Sequence, residues 1–120
     1  MKTPILLHDF SSIENIAGQF EIPLSVVEAY EVLLASYTYE NYEGDAFLLL
    51  RQNGTLYEVN GSHCSCYGLE GQWSTEDTTI AALQHRLDAG YMGRYYWDKS
   101  NLYADELQEL LNALRKEGQE

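Results

Sequence analysis

The stretch DAFLLLRQNGTLYEVNG, residues 45–61, reads as two strands joined at Asn53-Gly54. A two-residue type I′ turn needs positive φ at both central positions, and Asn followed by Gly adopts it readily. Placing the turn there sets the register, with Leu50 facing Tyr57 and Leu48 facing Val59. Side chains alternate along a strand, so Ala46, Leu48, Leu50, Tyr57 and Val59 share one face. Phe47, Leu49 and Leu56 fall on the other. A strand apolar on both faces is expected to be covered on both.

Upstream, the patterning is helical. In SSIENIAGQF, Ser11 and Glu14 have capping-box spacing, and Ile13, Ile16 and Phe20 share a face. Pro23 interrupts the pattern. Ser25 and Glu28 repeat the capping spacing and open SVVEAYEVLLASYTY, which the periodicity predicts as a second helix. Its stripe is Val26, Tyr30, Leu33 and Tyr37, with Val27 and Leu34 beside it.

Downstream, Ser62 to Tyr67 is read as a third strand. STEDTTIAALQHRLDAG follows as a helix capped by Asp77 or Thr78, with Ile80, Leu83 and Leu87 inward and Gly90 at its end. YMGRYYWDKSNLY is aromatic and irregular. ADELQELLNALRKEG closes the chain with Tyr103, Leu107, Leu110, Leu111 and Leu114 on one stripe, acids first and basics last. The expected fold is α+β: a small antiparallel sheet, made of the 45–60 hairpin and a strand at 62–67, packed with about four helices. A length of 120 residues fits a single domain spanning 1–120.

The charge narrows the function. Nineteen carboxylates against seven Lys and Arg leave a formal net charge of −12. Such a field repels phosphate backbones and anionic membranes and attracts basic partners. It disfavours direct nucleic-acid binding, which needs a positive footprint. The start, MKTPILLHDF, lacks a signal-peptide apolar region, and no apolar run reaches the length of a membrane span. The chain is therefore expected in the cytosol with Cys64 and Cys66 reduced. On that expectation, Asn53-Gly54-Thr55 and Asn60-Gly61-Ser62 reflect turn chemistry and not glycosylation.

Both cysteines lie in NGSHCSCYGLEGQWS, residues 60–74. Structural zinc needs four ligands, commonly in two spaced pairs, whereas this chain has a single C-x-C. In an extended segment Cys64 and Cys66 point one way and His63 the other, which makes His85 the better third ligand. A thiol nucleophile would need the same histidines to stabilise a thiolate, against acidic surroundings. A disulfide across one intervening residue is strained. The remaining reading is packing: two small apolar side chains facing inward, with Tyr67, Leu69 and Trp73 beside them. No cofactor is expected, zinc through Cys64, Cys66, His85 and His63 being the alternative.

The string EVNGSHCSCYGLEGQW resembles a segment of small proteins from bacteriophage and related bacterial genomes, a group without an assigned reaction. The similarity runs from about Tyr37 through the helix holding His85, about half the chain. It implies a genomic context and carries over no catalytic residue.

Tyrosines interleave with acids in YTYENYEGD, residues 37–45, and in YMGRYYWDKSNLYADE, residues 91–106. Aromatic side chains give rigid contact area with a polar tip, and neighbouring carboxylates suit a basic groove. Glu76-Asp77 and Asp105-Glu106 sit at expected helix starts, where acids are ordinary. No phosphate loop, nucleophile elbow or dinucleotide fingerprint is present. The leading expectation is a non-enzymatic acidic protein of phage type that occludes a basic surface of a host protein, such as a defence or nucleic-acid-handling complex. Its contact residues would be Tyr39, Glu40, Tyr42, Glu43, Asp45, Tyr95 and Tyr96. The alternatives are a metal- or thiol-dependent protein using Cys64, Cys66 and His85, and a subunit of a homo-oligomer.

Overall fold

Asn53 and Gly54 both take positive φ, 52° and 78°, as the hairpin turn requires. The computed structural model describes residues 4–38, 44–64, 68–90, 92–95 and 98–119. Its elements are β1 (Ile5–His8), α1 (Ile13–Phe20), α2 (Leu24–Glu28), β2 (Glu31–Tyr37), β3 (Gly44–Gln52), β4 (Thr55–His63), β5 (Glu76–Thr78), α3 (Ile80–Asp88) and α4 (Ala104–Lys116). The hairpin register is the expected one, Leu48 opposite Val59 and Leu50 opposite Tyr57.

The sheet, however, is neither small nor wholly antiparallel. Among the described residues, five strands run in the order β1-β2-β3-β4-β5, and β1 pairs with β2 in parallel, Ile5 opposite Leu34. The fold is α+β only in the broad sense of a mixed sheet with four helices among the described residues. Four misreadings account for the difference. Ile5–His8, given no strand in the sequence reading, is β1, and Glu76–Thr78, expected as the start of a helix capped by Asp77 or Thr78, is β5. The other two concern β2 and the expected third strand. The expected helix over 25–39 is a single turn, α2, followed by β2 in the middle of one sheet half. From Val32 to Tyr37 every residue is buried, so the strand carries no alternation to distinguish it from a buried helix. A register shift between Val32 and Leu34 further blurs the pattern. The expected third strand at 62–67 is the end of β4 at Ser62 and His63, continuous with the hairpin. Residues 65–67 lie outside the described residues.

The helix caps also shift by a residue or so. Ser12, not Ser11, caps α1, its Oγ accepting from the Asn15 N–H at 3.0 Å while the Ser11 N–H donates to Asn15 Oδ1 at 3.1 Å. Pro23 precedes α2 with no side-chain cap. Thr79 caps α3, accepting from the Ala82 N–H at 3.1 Å.

The chain divides into two compact units, Met1–Asp77 and Thr78–Glu120. In the first, Ile16, Ala17 and Phe20 of α1 and Val27 of α2 pack on Val32, Ala35, Leu48, Leu50 and Val59 of the sheet. Phe47, Leu49 and Leu56 of the opposite sheet face are buried too. Aromatic rings tie this core to the loops: Phe20 meets Trp73 edge-on at 5.2 Å, and Tyr30 meets Tyr57 at 5.6 Å. In the second unit, Leu83 of α3 and Leu107, Leu110, Leu111 and Leu114 of α4 are buried. Gln84, Gln108 and Arg115 connect the two helices, Gln108 Nε2 and Arg115 Nη2 both donating to Gln84 Oε1 at 2.9 and 3.0 Å. No helix among the described residues is long and apolar enough to cross a membrane.

Candidate functional site

Gln72 ties the segment after β4 back to the strand through its side-chain amide. Gln72 Nε2 donates to the carbonyls of Ser62 and Gly68, each at 2.7 Å, and its Oε1 accepts from the Ser62 N–H at 2.8 Å. The amide thus pairs with Ser62 as a neighbouring strand would, satisfying backbone groups that β4 leaves open. Leu69, 1% exposed, joins the core, and Trp73 packs against Phe20 and Tyr30. Gly61 lies beneath, where a Cβ would stand 3.1 Å from Leu69 and 3.3 Å from Gln72 Oε1. The conspicuous residues of GLEGQW therefore fasten the segment to the sheet. His63 shares the Val59 face, and its ring meets Tyr37 at 6.2 Å and 76°.

The candidate ligands distribute as follows. Cys64 is half-buried after β4, Cys66 lies outside the described residues, and His85 is exposed on α3 in the second unit. Among the described residues no group of three or more His, Cys, Asp and Glu is placed to hold a metal ion.

Of the expected contact residues, Tyr39, Glu40, Tyr42, Glu43 and Tyr96 lie outside the described residues. Asp45 is exposed at the start of β3 in the first unit, where the Thr38 N–H donates to its carbonyl at 3.0 Å. Tyr95 is half-buried in the second unit, its N–H donating to the Ser100 carbonyl at 2.8 Å. The carboxyl of nearby Asp98 is held below its ordinary value of 3.8 by the Ser100 hydroxyl and then the Ser100 N–H, which favour the charged form.

The first unit contains acidic geometry that the sequence reading missed. A cleft of about 740 Å³ opens between Pro4, the first turn of α1 at Ile13 and Glu14, and the run Glu28–Val32 from α2 into β2. Three carboxylates line it. Arg51 donates from Nε and Nη2 to Glu31 Oε1, both at 2.9 Å, and so neutralises that one. Glu14 and Glu28 are exposed and have no ion-pair or hydrogen-bond partner for their side chains among the described residues. The apolar part of the lining comes from Ile13, Ala29, Tyr30 and Val32. The rim is fixed from behind: Gln52 Nε2 donates to the Ala29 carbonyl at 3.0 Å, and the Tyr30 hydroxyl lies 3.3 Å from Thr75 Oγ1.

In the sequence, Glu28, Tyr30 and Glu31 had been absorbed into the expected helix. The parallel placement of β1 beside β2, which brings Pro4 to this end of the sheet, has no local signature at all. No protein-family model matches the chain, and neither does any curated protein or solved structure.

Proposed function

We propose that this chain is a non-enzymatic interaction protein that captures a basic surface of another protein. The observation that carries the reading is Glu14 and Glu28, exposed and unpaired in the lining of a partly apolar cleft, in a chain of net charge −12. Carboxylates left uncompensated beside apolar wall suit a cationic counterpart, and the surrounding field accelerates its approach. The acidic, tyrosine-rich segment at Tyr39, Glu40, Tyr42, Glu43 and Asp45, with Tyr95 and Tyr96, is the proposed outer contact surface. The setting proposed is the bacterial cytosol. There, a phage-type protein of this charge would occlude the nucleic-acid groove of a host defence complex, as anti-CRISPR-like inhibitors do.

The test is affinity capture by the purified chain, followed by equilibrium binding of the recovered partner over a salt series. Complex formation falls steeply with salt, because exposed charges are screened within about 8 Å at physiological ionic strength. Replacing Glu40, Glu43 and Asp45 together by lysine lowers affinity by about tenfold or more. Reversing Glu109 and Glu117 leaves it nearly unchanged. A salt-independent complex would sink the reading, and one indifferent to the triple reversal would remove residues 39–45 from the contact surface.

A further inference from the structure

We infer that the Glu14–Glu28 cleft is the docking site for an arginine- or lysine-bearing segment of the protein partner. The inference rests on the reading of the chain as a binder of basic protein surfaces, and assigns that recognition a specific place.

The chemistry of the cleft selects the occupant. Two unpaired carboxylates, Glu14 and Glu28, call for positive charge, while Ile13, Ala29, Tyr30 and Val32 call for apolar surface. An inorganic cation satisfies only the first, and no group of three ligating side chains forms among the described residues. Arginine and lysine satisfy both, since their methylene stems lie along apolar surface while the charged head reaches the carboxylates. Nucleic acid is disfavoured by the same carboxylates.

The site is also prepared for an occupant. The Arg51–Glu31 pair removes the third carboxylate from competition, and the Gln52–Ala29 hydrogen bond holds the turn that carries Glu28 and Tyr30. A rim fixed in advance loses less conformational entropy on binding. Its volume of about 740 Å³ is that of an open cleft, enough for one long side chain and its flanking residues.

The experiment is NMR mapping of the isotope-labelled chain at low ionic strength, titrated with a blocked peptide of alternating arginine and leucine. A matching peptide of glutamate and leucine and the polyamine spermine serve as comparisons. The expected result is amide shift changes concentrated at 13–15 and 28–32 with the arginine peptide, none with the glutamate peptide, and weaker binding of spermine. The exposed, near-isosteric pair E14Q and E28Q weakens arginine-peptide binding by about tenfold while the spectrum keeps its dispersion. If the shifts centre on 39–45 instead, the cleft assignment is overturned while the acidic-interaction reading stands. If no cationic probe binds anywhere, both fall. If spermine binds the cleft as tightly as the peptide, the site is one for small polyamines and the protein-docking inference is overturned.

Discussion

Replacing Gly93 by alanine tests how the irregular stretch before α4 is built. Gly93 is buried with φ of +73°, and its carbonyl accepts from the backbone N–H groups of Leu102, Tyr103 and Ala104 at 2.8, 2.9 and 3.1 Å. These include first-turn donors of α4, whose N-cap residue Tyr103 makes no side-chain cap. A Cβ at position 93 would stand 2.6 Å from Ala104 N and 2.8 Å from Ala104 Cα, both backbone atoms with little room to move. The left-handed conformation costs an alanine about 1 kcal/mol. Relieving the overlap adds about 1–3 kcal/mol, by analogy with overpacked cores. The expected loss is therefore about 2–4 kcal/mol. Gly90 is the control: its φ is +92°, but a Cβ there meets nothing within 4 Å, so Gly90→Ala loses only the conformational part. Urea unfolding followed by far-UV circular dichroism measures both. Equal losses in the two variants would mean that the close approach of Gly93 to Ala104 is not what holds the start of α4.

Two further outcomes follow from other parts of the structure. The depressed pKa of Asp98 means that its ionised form contributes stability above about pH 4, a contribution lost as pH falls through the folded-state value. Ser100→Ala, which keeps the Ser100 N–H, should move the Asp98 titration midpoint, read by NMR, upward toward 3.8; an unmoved midpoint would refute the Ser100 hydroxyl as the largest cause. Leu48, fully buried in the sheet core, should cost about 2–5 kcal/mol on truncation to alanine. Leu24, 36% exposed, should cost within about 0.5 kcal/mol, and comparable losses at the two sites would contradict the placement of the core.

Much of the candidate site was illegible in the sequence because its parts come from separate elements. Glu14 was visible as a helix-start acid, and Glu28 and Glu31 as charges on an apparent helix. Nothing local places Pro4, Glu14 and Glu28 around one cleft. The cysteine segment shows the opposite case. Its dense chemistry drew attention to metal and thiol readings, yet the groups that anchor it are Gln72, Leu69 and Trp73. Their roles depend on which backbone they meet.

What the sequence determined by itself was local: the Asn53-Gly54 turn and its register, the two faces of β3, α1, the helices α3 and α4, and the acidic balance. Each depends on intrinsic backbone preference or on periodicity within a few residues, and these act before distant segments meet. The tertiary structure decided the rest. EVLLASY became a strand because β1 and β3 flank it and supply hydrogen-bond partners on both sides, outweighing a helical spacing of apolar residues. Ile5–His8 became an edge strand only through its parallel pairing with β2, and the cleft exists only because that pairing and α1 meet the end of α2. Long-range pairing decides where local signals are balanced, and an apolar run buried on both faces is where they balance most closely.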